Sequence, residues 1–275
     1  MNIALQLKKL YSFARGRVSA KREARQLIRL QRNMQRIALR RVTSLFRKFI
    51  NTKAFLYKEF GVYEPLQASR DLNEELFPVM LAHYKRVISA VYKHNADKYD
   101  RNTKAEEALV FGRNVDIDEL AAIYFANRQL ILSNISTRMA NRIDKIIREG
   151  RADNLTLQAI AAAISNKILP IGKNRAALIA RTETHNAAMY ANHAYHKKVK
   201  DDYGVKMLKQ WVSAGDLRTR SAHAAANGQV VDMDEDFIVG GVPMAYAGDP
   251  KGGAKNVINC RCAIIYVDEE DVVLE

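Results

Sequence analysis

The 275-residue chain is 48% hydrophobic and 27% charged, and its 44 Lys plus Arg against 30 Asp plus Glu give a formal net charge of +14. That length and apolar share exclude a wholly disordered chain and point to about two domains. The longest apolar runs, such as Ala159 to Ile164 and Ala263 to Val267, fall far short of the ~20 residues a membrane span needs, so no transmembrane helix is expected, and no membrane is counted among the expected partners.

The N-terminus places Lys8 and Lys9 after only a few apolar residues, which is not the basic, apolar, small-residue order of a secretory signal. Synthesis in a cytoplasm without export is the expectation. The two cysteines, Cys260 and Cys262, are too few and too close for a disulfide framework, which fits a reducing compartment.

Charge is unevenly placed. Residues 1–58 hold 16 Lys or Arg and one acid, Glu23, whereas residues 59–275 balance to −1. A polycationic arm on a near-neutral body points to a polyanionic partner: nucleic acid, an acidic protein surface or anionic lipid.

From Ser19 to about Phe60 there is no Pro or Gly, and Leu27, Leu30, Met34, Ile37, Val42, Leu45, Phe46 and Phe49 recur at spacings of three and four. This predicts a long helix. Arginines flank its narrow apolar stripe, and like charges at i, i+4 repel. Polyanion contact, or packing of the stripe on the body, is needed to steady it.

After Gly61 and Pro65, a second helix is expected with Ser69 as N-cap, running from Leu72 to Val91 with Pro78 inside it. A polar stretch spans Lys93 to Lys104. Asp116 opens a third helix that ends at Gly150 as the C′ residue. A shorter fourth helix covers about Leu155 to Lys167, stopping before Pro170 and Gly172. A fifth spans about Asn174 to Lys200. Eight of the 13 glycines lie at or after Gly204, and Met207 to Val212 and Ala263 to Val267 have β character. The fold class is therefore α+β: a mostly helical N-terminal two-thirds, then a small C-terminal α+β unit. The expected domains are 1–60, a basic helical arm; 61–172, helical; and 173–275, α+β.

Arg181-Thr-Glu-Thr, Trp211 ahead of Asp216-Leu-Arg-Thr-Arg220, His223, Asn227-Gly-Gln229, Phe237, Gly248-Asp-Pro250 and Asn259-Cys-Arg-Cys262 follow one another in a fixed order. In this order and spacing, residues 173–268 resemble the Mu F-like minor head proteins of tailed bacteriophages, the phage head morphogenesis family. The chain departs from that pattern at Tyr246-Ala247, where the family often has proline, and near Gly252. The resemblance implies a few-copy structural protein at the portal vertex inside the capsid, acting in head morphogenesis and DNA packaging or ejection. It implies the portal protein as partner, with the major capsid or scaffold protein as further contacts, and a place in the virion. An enzyme is not expected, and no cofactor.

Two readings of the residues stand beside the resemblance. A basic helix would grip packaged double-stranded DNA without reading sequence. Arg17, Arg22, Arg25, Arg29, Arg32, Arg36, Arg40 and Arg41 carry that role, with docking on an acidic portal surface, or mere solubility of the helix, as alternatives. In the C-terminal unit, Arg181, Glu183, Asp216, Arg218, Arg220, His223 and Asn259 are read as a structural polar network. If residues 260–262 are a strand, Cys260 and Cys262 share one face and Arg261 takes the other. We take the pair as packing residues and expect no metal. Cys260, Cys262 and His223 are the candidates were a metal present, with His185 or Asp216 as further ligands by type.

The alternative function is a metal- or His-dependent nuclease or a toxin-like enzyme on the C-terminal unit, with His223 as base and the arginines holding phosphate. The absence of a paired acidic motif weighs against it. So does the short stretch after Asn259-Cys-Arg-Cys262, which leaves no room for a fused toxin domain. A host nucleic-acid-binding protein would call for a basic body, which residues 59–275 do not provide.

Overall fold

The computed structural model describes residues 20–100, 115–204 and 206–268. Among these residues, four long helices come first: α1 (Ala20–Phe60), α2 (Pro65–Asp100), α3 (Ile117–Ala152) and α4 (Leu157–Tyr203). Strand β1 (Met207–Val212), helix α5 (Ser221–Ala225), strands β2 (Val230–Asp232), β3 (Phe237–Val239) and β4 (Val242–Met244), a 3-10 turn at Pro250–Gly252, helix α6 (Gly253–Val257) and strand β5 (Ala263–Asp268) follow. The fold is α+β, helical over its N-terminal two-thirds.

The helices differ from the sequence expectation at their ends. Helix α2 begins four residues before Ser69, at Pro65, whose missing N–H and fixed φ suit the first helical turn. Ser69 is then an interior residue, and its hydroxyl lies 3.0 Å from that of Thr137. Asp116 caps α3 as expected: its Oδ1 accepts the N–H groups of Asp118 and Glu119 at 2.8 and 3.0 Å. Helix α3 runs past Gly150 to Ala152, and the left-handed residue beyond it is Asn154, φ 56°. The fourth and fifth expected helices are one 47-residue helix that carries Pro170 and Gly172 inside it. Local propensity is a weak prior here, because the apolar rows on either side of Pro170 are both buried.

The chain divides into two compact units, each drawn from several stretches. Among the described residues, the first comprises 20–34, 85–100, 115–120 and, apart from 205, 182–268. It holds an antiparallel sheet ordered β2-β1-β5, with Trp211 opposite Ile264 and Lys209 between Val231 and Tyr266. Strands β3 and β4 form a separate hairpin. Met207, Trp211, Phe237, Ile264 and Tyr266 form its core, with Tyr92 and Tyr195 meeting edge to face at 5.4 Å.

The second unit comprises residues 35–84 and 121–181 and is wholly helical apart from its connections. Val42, Phe46, Ile50 and Tyr57 of α1, Leu72, Leu76, Met80 and Tyr84 of α2, and Leu132, Met139 and Ile143 of α3 are buried in it. Tyr84 meets Tyr124 edge to face at 4.8 Å. Lys53 pairs with Asp71, and the Tyr63 hydroxyl donates to the Ala140 carbonyl at 2.8 Å. The apolar stripe of α1 is thus satisfied by packing, the second of the two means by which the sequence left it to be steadied.

Candidate functional site

The loop between β1 and α5 is organised by one carboxylate. Asp216 Oδ1 accepts the N–H of Arg218 at 3.0 Å, the Asp216 carbonyl accepts the N–H of Thr219 at 2.9 Å, and the Thr219 hydroxyl returns to Oδ1. This is an Asx turn, the local bond that favours Asp in loops. Helix α5 itself begins after Arg220, which makes no side-chain cap. The turn exposes Oδ1 and Oδ2 to Arg261, whose guanidinium grips both, one bond measuring 2.6 Å. That grip holds the Asp216 carboxyl far below the usual carboxylate range and raises Arg261. Arg218 lies 3.7 Å from Oδ2, and Arg220 donates to the Ile258 carbonyl.

Beneath this loop, His223 of α5 meets the cysteines. Its Nδ1 is 3.3 Å from Cys262 Sγ and 3.7 Å from Cys260 Sγ, and all three residues are buried. The cysteines do not lie in a strand; they sit in the segment just before β5, after Asn259, whose φ of 56° turns the chain. That turn is why Arg261 reaches outward to Asp216 while both sulfurs face His223. A bond with the Cys260 thiol, with His223 behind it, holds the Cys262 thiol well below the usual thiol range, and the same bond together with burial raises Cys260. A small cavity lined by Ala214, Arg218, Thr219, Arg220, Asn259 and Arg261 opens onto these three side chains.

From α4, Thr182 accepts the Asn259 N–H through its hydroxyl oxygen at 3.2 Å. Glu183 is buried, and Arg181, in the helical unit, is exposed. His185 Nδ1 lies 3.3 Å from Gln31 Oε1, and burial, with His223 nearby, brings its pKa down to about 4. Among the described residues, His223, Cys260 and Cys262 form the group with metal-ligand geometry, and His185 and Asp216 stand outside it. The Gly248-Asp-Pro250 segment is the turn its sequence suggests. Asp249 accepts from Ala245 and Lys251 N–H groups at 2.8 and 2.9 Å, and Gly248, φ 88°, lies against Asn186 where a Cβ would collide.

Arg261, Thr182 and Gln31 are the partners that sequence reasoning missed. Arg261 stands in the Asn259-Cys-Arg-Cys262 motif, where a strand would put it on the face away from the cysteines. Gln31 carried no motif at all.

On α1, Arg22, Arg25, Arg29 and Arg32 are exposed in the first unit, and Arg36, Arg40 and Arg41 in the second. Spacings of three and four keep all but Arg41 on one side of the helix. Glu23, the acid of this segment, is bound by Lys98 at 2.6 Å. Arg17 lies outside the described residues.

The sequence has recognisable relatives. Residues 140–265 match the family described as "Phage Mu protein F like protein". The chain is 27% identical over 247 residues to the minor head protein gp7 of Bacillus phage SPP1, spanning 84% of this chain and 77% of that one. It is also 33% identical over 250 residues to an Enterococcus faecalis protein named "NAD(+)--arginine ADP-ribosyltransferase EFV", spanning 81% of this chain but half of that protein. No solved structure matches the chain significantly.

Proposed function

Because residues 140–265 belong to the phage Mu F-like family, we propose that this chain is a minor head protein of a tailed phage, a virion component that acts in head morphogenesis. The observation that carries the reading is the similarity to the SPP1 minor head protein across most of both chains, which reaches well beyond the family segment into the basic helix. Within that role, the portal protein is its partner at the vertex, and it acts in DNA packaging or ejection. The Arg22 to Arg41 row contacts packaged DNA through phosphates alone.

Disrupting this reading frame in its phage tests the assembly role: heads should become defective or fewer by electron microscopy, and normal infectious heads would refute it. The DNA contact is tested with R22E/R25E/R29E/R32E in the full chain. Deleting α1 would instead strip the core, since Leu27, Met34, Phe46 and Tyr57 are buried. Binding to two unrelated duplexes should be equal, and the log–log salt slope should fall by about 3 to 4 in the variant. An unchanged slope, or no DNA affinity, rejects DNA and leaves the portal surface as the target of the arginines.

A second reading, an enzyme on the C-terminal unit, draws on the name of the Enterococcus relative. NAD+ cleavage, ADP-ribose transfer to an arginine acceptor, or DNA cleavage that is lost in H223A would support it.

A further inference from the structure

The convergence of two sulfurs on one ring nitrogen asks for an explanation that packing does not give. Nδ1 of His223 lies within 3.3 and 3.7 Å of the two sulfurs, and the three atoms all lie within 4.8 Å of one another. A neutral Nδ1 accepts one hydrogen, so a single thiol would satisfy it. A tetrahedral zinc with Zn–S of about 2.3 Å and Zn–N of about 2.05 Å holds sulfur and nitrogen about 3.6 Å apart. The two observed separations bracket that value.

The surroundings fit an ion as well as the distances do. The adjoining cavity has room for a water-sized sphere. Two thiolates neutralise a divalent cation, so the three arginines around the cavity face a site with no net charge. Asp216 is committed to Arg261 and Arg220 to the Ile258 carbonyl, which leaves solvent as the source of a fourth ligand. Thiolate and imidazole together select zinc over the hard cations, which prefer oxygen.

We propose that His223 Nδ1 and the Cys260 and Cys262 thiolates bind a Zn²⁺ ion whose fourth position opens into this small cavity. The ion ties α5, at the far end of the 213–229 excursion, to the segment entering β5. It acts as a clasp on a unit whose strands are short.

The test uses the full chain, whose only two cysteines are the ligands, so thiol chemistry reports on this site alone. Zinc added to reduced protein should remain after desalting at close to one ion per chain. Both thiols should then resist a thiol reagent until a chelator is added. Co²⁺ in place of zinc should give thiolate charge-transfer absorption and the intense visible bands of a tetrahedral site. C260S, C262S and H223A should each lose the ion, with circular dichroism verifying their fold. If a variant fails to fold, the cobalt spectrum and thiol protection of the unmodified chain still decide. Zinc lost on desalting, thiol reactivity indifferent to chelator, or a Cys260–Cys262 disulfide formed in preference to zinc uptake would each overturn the proposal.

Discussion

Asp216 and Arg261, 45 residues apart, clasp each other through paired N–H···O bonds across the mouth of the cavity above His223. The contact joins the loop after β1 to the residue between the two cysteines, so it links the two motifs most prominent in the C-terminal sequence. Because both groups are solvent-accessible, its value lies in positioning rather than in stability.

Asp216→Ala should therefore speed amide hydrogen exchange at residues 217–219, where the Asx turn and the guanidinium contact are both lost, while the thermal midpoint moves little. The folded carboxyl titrates below its usual value, so the clasp is complete above pH 4 and weakens as acid protonates Asp216. A large fall in the midpoint would show that the contact is a stabilising element after all.

His193 gives the protein a defined acid sensitivity. Its ring is largely buried, 3.1 Å from the Tyr266 hydroxyl, and burial, reinforced by Lys209 and Lys197 against the opposing pull of Asp236 and Asp234, lowers its pKa to about 3. The unfolded chain takes up this proton near pH 6.5 and the folded protein only near 3, so stability falls as pH drops through that window. The ceiling on this contribution is about 5 kcal/mol. His193→Gln should flatten the decline of denaturation midpoints between pH 6.5 and 4; an unaltered slope would assign the acid sensitivity to other groups.

Lys209 acts at the other end of the scale. It is buried in the middle strand, donating to the Ala245 carbonyl at 2.8 Å and lying 5.1 Å from the centre of the Phe237 ring. Burial lowers its pKa to about 8, with Asp236 and Asp234 opposing. Between pH 8 and 10.5 the unfolded chain holds the extra proton, so this residue makes stability rise with pH. Lys209→Met should remove that rise and be at least as stable as the parent at pH 7, as urea denaturation at the two pH values would reveal.

Gly150 tests packing against propensity. Alanine in an open helix would gain about 1 kcal/mol, but a Cβ at 150 would stand 2.6 Å from Ile160 Cγ1. Gly150→Ala should instead destabilise by about 1 to 3 kcal/mol, and because Ile160→Ala removes the colliding Cγ1, G150A/I160A should lose less stability in chemical denaturation than the two single variants summed.

The long helices were legible because period and punctuation are local properties. The Leu27 to Phe49 rows fixed α1, and Asp116 announced the start of α3. Gly150 and Pro170 misled because each was read as a stop. At 150 the missing side chain makes room for Ile160, a residue ten positions away, and at 170 burial on both sides outweighs one lost backbone bond. The terminal α+β unit was foreseen from glycine content and two β-like runs, and the resemblance to the head morphogenesis family from the order of its motifs.

The charge map, the helical period and the identity of the chemistry-bearing residues follow from composition and spacing alone. Which of those residues meet depends on how the chain folds. A turn at Asn259 sends Arg261 out to Asp216 and both sulfurs in to His223. A CxC pair states how two thiols can be arranged; the ring nitrogen that Cys260 meets comes from 37 residues away, a distance that only chain folding closes.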